Sequence, residues 1–384
     1  MTPRGKTQPH QRLGLRAGDW VEVRPLAEIL ETLDEKGRLD ALPFMPEMIA
    51  SCGKRFRVLK SAHKTCDRVE KSGLRRMEDT VHLDELRCDG AAHGGCQAMC
   101  LIFWKEAWLR RVTQDEPVPA PSGPSSAAPP TAPAPPVLVD AALAPSDPAA
   151  PEEVRWSCQA TEMFRATSPL SWWDPRQYVR DVGSGNVPLG AVLRWLVIRT
   201  LNQIQRIPKT YKLIETVRGS FRYPRIEGSL KKTPRSTLDL LPGETVRVKP
   251  HEEILATLDS RARNRGLSFD TEMVRYCGGT YEVHSRVTRL IDEPTGRMVS
   301  PPNDCIILDE VVCTADYHGL CPRAIYPYWR EIWLERAAVR EPARGTDATT
   351  AGDAAAPATP HDPVPVAPDG SCGQETGKDA AGET

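Results

Sequence analysis

The strongest constraint on the fold is an internal repeat. Residues 13–111 align without a gap with residues 238–336, an offset of 225, and about a third of the aligned positions are identical. The first copy opens with LGLRAGDWVEVRPLAEILETLD, and the second opens with LDLLPGETVRVKPHEEILATLD. A gap-free match of this length argues against chance, so we predict two folded copies of one module.

Each copy has the pattern of a small, strand-rich unit with short helices. Val21 and Val23 alternate with polar residues after a Gly-acid turn, as do Val246 and Val248, which indicates a strand. The runs 28–34 and 253–259 predict a short helix in each copy. Near the end of each copy, FWKEAWLRR and YWREIWLER place two tryptophans at i, i+4 spacing, which predicts a closing helix. We expect its Lys-Glu or Arg-Glu pair to face solvent while the tryptophans pack inward.

The opening pattern of each copy, L-x-L-x-x-G-[DE]-x-V-x-V, resembles the first strand of SH3-like small barrels. The resemblance covers about eleven residues per copy and implies a module that contacts proteins or nucleic acids, although a fold does not determine a function. The predicted fold class is therefore α+β. It comprises tandem duplicated small β-rich modules of the SH3-like barrel type with short helices, plus a helical middle region.

Composition divides the chain into five segments. Pro and Ala dominate residues 113–152, which we interpret as a linker, and residues 339–384 contain almost no aliphatic core formers, which predicts a disordered tail. The folded segments are then the first β-rich module with its Cys/His site at 13–112, a helical basic middle region at 153–237, and the second module with its own site at 238–338.

The middle region has no copy elsewhere in the chain. Asp174-Pro175 predicts the start of a helix that Gly183 ends. A second helix is predicted with one apolar face formed by Leu189, Leu193, Leu196, Val197, Leu201 and Ile204. Basic residues dominate from 194 to 235, and they could bind a phosphate backbone or an acidic partner, or could simply be solvated. The candidates are Arg194, Arg199, Lys209, Lys212, Arg222, Arg225, Lys231 and Lys232.

A set of cysteines and a histidine recurs in both copies with the spacing C-x35-C-x4-H-x2-C. Three thiolates and one imidazole can complete a tetrahedral shell around zinc, and a closed shell of this kind is structural rather than catalytic. The pattern therefore predicts two zinc ions per chain, and the alternative is a set of buried thiols in a duplicated core. The ligands would be Cys52, Cys88, His93 and Cys96 in the first copy, and Cys277, Cys313, His318 and Cys321 in the second.

The first copy carries further thiols, which leaves an iron–sulfur cluster as a second hypothesis. Cys66 and Cys100 lie within it, and Cys158 follows it, whereas the second copy has Ile291 and Ile325 at the positions of Cys66 and Cys100. Glu47 and Glu272 also recur beside the proposed metal loops. We expect them to have a surface or capping role, although a catalytic base is conceivable.

No reaction can be identified from the motifs. The chain lacks a G-x-S-x-G elbow, a Walker loop, H-E-x-x-H, and G-x-G-x-x-G after a strand. It has 50 basic and 51 acidic residues, which excludes a uniformly basic nucleic-acid binder. The N-terminus lacks the apolar segment of a signal peptide and no stretch is long enough to span a bilayer, so we expect a cytoplasmic protein without membrane contact.

Three functions remain open. The leading hypothesis is a non-catalytic binding or scaffold protein that is built from two duplicated, zinc-stabilised modules and has a protein partner. The second is a metal- or redox-dependent enzyme or accessory protein that uses the cysteine-rich first copy. The third is a nucleic-acid-binding protein that acts through the basic middle region.

Overall fold

A computed structural model describes residues 12–113, 134–204 and 226–337, apart from positions 68, 71, 85, 146–149, 151 and 227. Several small antiparallel sheets and short helices make up these residues. The described residues up to Leu196 and from Ile226 onward form one compact unit, whereas Val197–Ile204 belongs to a second unit. The mixture of sheets and helices agrees with the α+β class.

The first copy builds a five-stranded antiparallel sheet in the order β8-β7-β4-β1-β9. Val21, Val23 and Val81 are fully buried on its inner face, which explains the alternation in the sequence. The elements are β1 (Trp20–Val23), α1 (Leu26–Thr32), β2 (Arg38–Leu39), β3 (Leu42–Pro43), a 3-10 helix (Pro46–Ser51), β4 (Arg55–Ser61), β5 (Lys64–Cys66), β6 (Leu74–Arg76), β7 (Thr80–Leu83), β8 (Trp104–Lys105), a 3-10 helix (Glu106–Trp108) and β9 (Leu109–Arg111).

Short elements make up the middle of the chain. They are α2 (Pro136–Ala141), α3 (Gln159–Glu162), β10 (Ser168–Leu170), α4 (Pro175–Gly183) and α5 (Leu189–Ile204). Strand β10 extends the β5–β6 hairpin of the first copy into a three-stranded sheet. Residues 168–170 of the middle region therefore pair directly with the first copy.

The second copy forms a four-stranded sheet in the order β17-β14-β11-β18. Its elements are β11 (Thr245–Val248), α6 (His251–Leu255), β12 (Arg263–Asn264), β13 (Leu267–Ser268), a 3-10 helix (Thr271–Tyr276), β14 (Thr280–Arg286), β15 (Leu290–Ile291), β16 (Met298–Val299), β17 (Ile306–Leu308), a 3-10 helix (Glu331–Trp333) and β18 (Leu334–Arg336).

Strand registers in the two copies differ by the same 225 positions as the sequences. Val21 lies opposite Phe56 in the first sheet, and Val246 lies opposite Tyr281 in the second. An irregularity interrupts the pairing between Val58 and Lys60 of β4, and another occurs at the matching point, between Val283 and Ser285 of β14.

The sheets are open, so a closed barrel is not present among the described residues. In the first copy, β8 pairs with β7 at one edge, and β9 pairs with β1 at the other edge. The 3-10 helix Glu106–Trp108 carries the chain between these edges. The two strands therefore lie at opposite edges of the sheet and do not pair with each other.

The closing helix predicted from the tryptophan spacing is wrong. Trp104 lies in β8 and Trp108 ends a 3-10 turn, yet both indoles are fully buried. Their rings meet Phe44 edge-on, with centroid distances of 6.3 Å for Trp104 and 5.3 Å for Trp108. A tight turn between two strand residues therefore places both rings in one core, as a helix would.

The acid of this turn is also buried rather than solvated. The Glu106 carboxylate accepts the backbone N–H groups of Leu13, Gly14 and Leu15, at 2.6, 2.9 and 3.0 Å. Glu331 repeats this arrangement in the second copy with residues 238–240. Each glutamate therefore fixes the segment that leads into the first strand of its module.

The predicted start and end of α4 are confirmed. The Asp174 carboxylate accepts the N–H of Arg176 at 3.0 Å, and the helix ends at Gly183. This helix is joined to the first copy by an ion pair between Lys64 Nζ and Asp181 Oδ2 at 2.5 Å, and both side chains are fully buried.

The single apolar face predicted for α5 is wrong. Leu189 and Leu193 are exposed, whereas Val192 and Trp195 are buried on the other side of the helix. Trp195 packs on Tyr178 of α4 with a centroid distance of 5.3 Å. The helix is apolar on more than one side, so the sequence pattern did not identify which side meets the protein.

Candidate metal and thiol site

A glutamate holds the Cys/His loop of the first copy in place. Glu47 Oε1 accepts the N–H of Ala92 at 3.1 Å and lies 2.6 Å from His93 Nδ1. His93 Nε2 lies 3.2 Å from the carbonyl oxygen of Ser157, so both ring nitrogens face oxygen atoms. We expected a surface or capping role for Glu47, but its side chain is buried. Although burial opposes ionisation, the hydrogen bond and the charge of His93 keep the pKa of Glu47 below its usual value.

The counterpart of Glu47 holds the loop of the second copy, but the histidine of this loop has different partners. Glu272 Oε1 accepts the N–H of Tyr317 at 2.7 Å. His318 instead pairs through Nε2 with Asp270 at 3.3 Å and lies 3.5 Å from the Cys313 thiol through Nδ1. Hydrogen bonds to Asp270 and Cys313 raise the pKa of His318 to about 11. The two loops are therefore similar in backbone and different in electrostatics.

Two clusters of side chains could hold a metal ion. The first comprises Glu47, Cys88 and His93, and the second comprises Glu272, Cys313 and His318. In each cluster the three ligand atoms lie within 4.8 Å of one another. The structure thus brings together one cysteine and the histidine of each predicted zinc site and adds a glutamate. The recurrence of Glu47 and Glu272 in both copies was the signal for this role.

Cys52 and Cys277 are not members of these clusters. Each follows a 3-10 helix and packs against the hydrophobic core of its own module. Burial raises the pKa of Cys52 to about 11 and, with a contribution from the charge of Glu252, raises that of Cys277 to about 12. Both side chains are thus placed as apolar core groups. Zinc at two sites per chain stays a prediction.

Cys96 and Cys321 lie where the two modules meet. The Cys321 thiol accepts the N–H of Cys66 at 3.2 Å, and the Cys96 thiol accepts the N–H of Ile291 at 3.4 Å. Cys321 is the counterpart of Cys96, and Ile291 is the counterpart of Cys66. Each module therefore places its β-hairpin on the Cys/His loop of the other, as in an isologous interface.

Four thiols of the first half of the chain line one cavity. Cys88, Cys96 and Cys100 belong to the loop of the first module, and Cys158 precedes α3. The cavity has a volume of about 40 Å³ and opens to solvent, and it is also lined by Arg323 of the second module. Burial, with smaller contributions from the neighbouring Cys100 and Cys96, raises the pKa of Cys158 to about 12. Burial likewise raises the pKa of Cys88, and Glu47 and Cys100 add to the effect.

The predicted basic surface is described only in part. Arg194, Lys231 and Lys232 are exposed, and Arg199 is half-buried. Lys209, Lys212, Arg222 and Arg225 lie outside the described residues. Nucleic-acid binding by this region stays a prediction.

No protein-family model, curated protein or solved structure matches the chain. Among the described residues, no helix combines the length and the hydropathy that a membrane crossing requires. The function is therefore inferred from the positions and the chemistry of this chain's own side chains.

Proposed function

We propose that the chain is a non-catalytic binding or scaffold protein built from two duplicated SH3-like modules. The matching registers support the duplication. The resemblance of the opening strands and the open sheet order β8-β7-β4-β1-β9 support modules related to the SH3-like type, although the sheets do not close into a barrel. The resemblance implies a module that contacts proteins or nucleic acids, while a fold alone does not determine a function.

The reciprocal docking of the modules supports a scaffold. Besides the two thiol contacts, Arg87 of the first module donates to the carbonyl oxygen of Ala324 of the second module at 3.0 Å. Its guanidinium also lies 4.1 Å from the ring centroid of Tyr326. These contacts join the modules into one body, which is suited to presenting a surface of fixed shape.

The observation that carries the proposal is an apolar surface on the middle helices. Val179 of α4 is 71% exposed, and Leu189 and Leu193 of α5 are 58% and 54% exposed. Trp173, just before α4, is 70% exposed. The opposite sides of these helices are packed through Tyr178 and Trp195, so the exposed residues are extra apolar surface. Large apolar side chains left exposed on two helices that pack together favour a contact surface, and we assign this surface to a protein partner.

The test compares retention of proteins from the source cell lysate by the full chain and by charged variants. Leu193→Glu and Val179→Glu alter the apolar surface, and Lys36→Glu is the control because Lys36 is exposed, charged already and outside both the apolar surface and the basic region. We expect a protein that the wild type and the control retain and that both charged variants lose. Purified, that partner should bind the variants at least tenfold more weakly, about 1.4 kcal/mol. Retention that does not change in the Leu193 and Val179 variants, or no retained protein, would overturn the proposal.

A second candidate is a metal- or redox-dependent enzyme or accessory protein. The thiols around the cavity of the first module favour it, since soft metals select thiolate ligands. It differs from the scaffold in requiring a bound metal for its function. The variant Cys100→Ile distinguishes the two, because a scaffold that acts through α4 and α5 keeps its retained partner when the cavity loses a thiol, whereas a protein that depends on a metal in this cavity loses its function.

A further inference from the structure

We propose that the cavity beside the first module is the binding site of one iron–sulfur cluster, ligated by Cys88, Cys96, Cys100 and Cys158. Cysteine thiolates are the usual protein ligands of such clusters, and four are needed for the common types. The four thiols come from two separate parts of the chain and converge on one space. This site does not depend on the partner proposed above.

The spacing of the thiols favours a cluster over a single ion. Four thiolates on one tetrahedral zinc would lie about 3.8 Å from each other, given a Zn–S distance of about 2.3 Å. Among the described residues, only the two Glu/Cys/His clusters bring three potential ligand atoms within 4.8 Å of one another. No three thiols of the cavity are that close, so the four thiols are not placed to hold a single zinc ion.

The charge around the cavity favours an anionic occupant. Arg323 is 3% exposed and pairs with Glu293 through Nη2 at 3.2 Å, but its Nη1 group has no hydrogen-bond partner among the residues that the structure describes. An unsatisfied buried guanidinium N–H is costly. A cluster with four thiolates carries negative charge and sulfur acceptors, which would satisfy this group.

The histidine of the loop is engaged elsewhere. His93 Nδ1 and Nε2 contact Glu47 and Ser157, so neither nitrogen is available without breaking a hydrogen bond. Its position beneath the loop orders the segment that carries Cys88 and Cys96. We therefore assign His93 a positioning role rather than a ligand role.

The second module cannot form the same site. Ile325 stands at the position of Cys100, and Cys158 has no counterpart, because the middle region is not repeated. Only Cys313 and Cys321 remain of the four ligands. The stoichiometry that follows is one cluster per chain, compared with two zinc ions under the earlier hypothesis.

The experiment is anaerobic reconstitution of the full chain with ferrous iron and sulfide, followed by iron and acid-labile sulfide analysis and visible absorption spectroscopy. We expect a coloured protein with one cluster per chain. Cys100→Ile, which copies the second module, and Cys158→Ala should lose most of the iron and sulfide. Cys66→Ile and Cys313→Ala are matched controls, and they should keep both. Circular dichroism of each variant excludes misfolding as the cause.

The variant Arg323→Gln gives a second readout, the reduction potential of the cluster. A merely structural role of Arg323 would not lower this potential while the iron content stays the same. Removing a cation beside the cluster should lower its reduction potential while iron content is kept. The proposal is overturned if the wild type retains no iron and sulfide, or if Cys100→Ile and Cys158→Ala retain as much as the controls. Binding of two zinc ions that is lost on replacing His93 or His318 would also overturn it in favour of the Glu/Cys/His clusters.

Discussion

The Glu106 carboxylate accepts the backbone N–H of Leu15 at 3.0 Å, and this contact spans 91 positions of the chain. The same carboxylate also holds residues 13 and 14. Since the entering segment has no strand partner at this point, the side chain takes the place of a sheet hydrogen-bond ladder. The pair therefore joins the two ends of the first module.

Glu106→Gln tests this contact. The amide offers one acceptor oxygen, and its NH2 group would face N–H donors, so we expect a loss of about 2–4 kcal/mol in the free energy of unfolding. Urea denaturation measures it. Glu28→Gln, whose partner Arg24 is exposed, is the control and should change stability by less than about 0.5 kcal/mol. Equal effects of the two variants would contradict the assigned role.

The Lys64–Asp181 pair should be essential for attaching α4 to the first module. Lys64→Met leaves the buried Asp181 carboxylate with only His63 Nε2 nearby, at 3.2 Å, and we expect a loss of about 2–4 kcal/mol. The double variant Lys64→Met/Asp181→Leu removes both charges and should recover most of the loss. Thermal and urea unfolding of the wild type, of Lys64→Met, of Asp181→Leu and of the double variant complete the cycle. A double variant as unstable as Lys64→Met would show that packing, rather than the unpaired charge, sets the cost.

His82 should make the protein sensitive to mild acid. Burial lowers the pKa of His82 to about 3, and its Nδ1–H donates to the carbonyl oxygen of Ile102 at 2.9 Å. Below the unfolded value of about 6.5, the unfolded chain takes up a proton that the folded chain refuses, so stability falls as pH falls from 6.5 toward 3. Between pH 7 and pH 5 this loss is about 2 kcal/mol.

The variant His82→Ile isolates this effect, because Ile307 occupies the same position in the second module. We expect it to lower stability at pH 7 by about 1 kcal/mol through the lost hydrogen bond, and to reduce the loss between pH 7 and pH 5 by about 2 kcal/mol. Urea unfolding at the two pH values measures both. A variant with the pH dependence of the wild type would disprove the assignment.

A side chain at Gly94 should destabilise the protein more than a side chain at a glycine with open space around it. Its φ is +63°, and a Cβ would lie 2.7 Å from Trp156 Cζ2. Gly53 is the matched control, since its φ is +73° and no atom lies within 4 Å of its Cβ position. We expect Gly53→Ala to cost about 1–2 kcal/mol from the backbone alone and Gly94→Ala to cost about 1–3 kcal/mol more. Equal costs in urea unfolding would mean that Trp156 moves aside freely.

Local signals in the sequence predicted local structure well. Asp174-Pro175 and Gly183 predicted the two ends of α4, and the alternating valines predicted strand β1. The tryptophan spacing misled, because i, i+4 residues share a side of a helix but a strand followed by a 3-10 turn can bury both as well. Tertiary packing decided between these possibilities.

The candidate site was predictable only in outline. The repeat identified Cys88, His93 and the recurring Glu47, which the structure brings together. Arg323 reaches the cavity from the other module, and Cys158 reaches it from the middle region, so no spacing within one copy could reveal them. Contacts between modules depend on how the two copies dock, and the sequence of one copy does not predict that geometry.

The reciprocal contact of the modules has the arrangement of a two-fold dimer within one polypeptide. A true homodimer carries every substitution on both sides of its axis, so a cysteine gained or lost at one position changes two places at once. Two copies within one chain escape this restriction. Cys100 can stand on one side while Ile325 stands on the other, and one half is free to specialise while its partner keeps the shape of the whole.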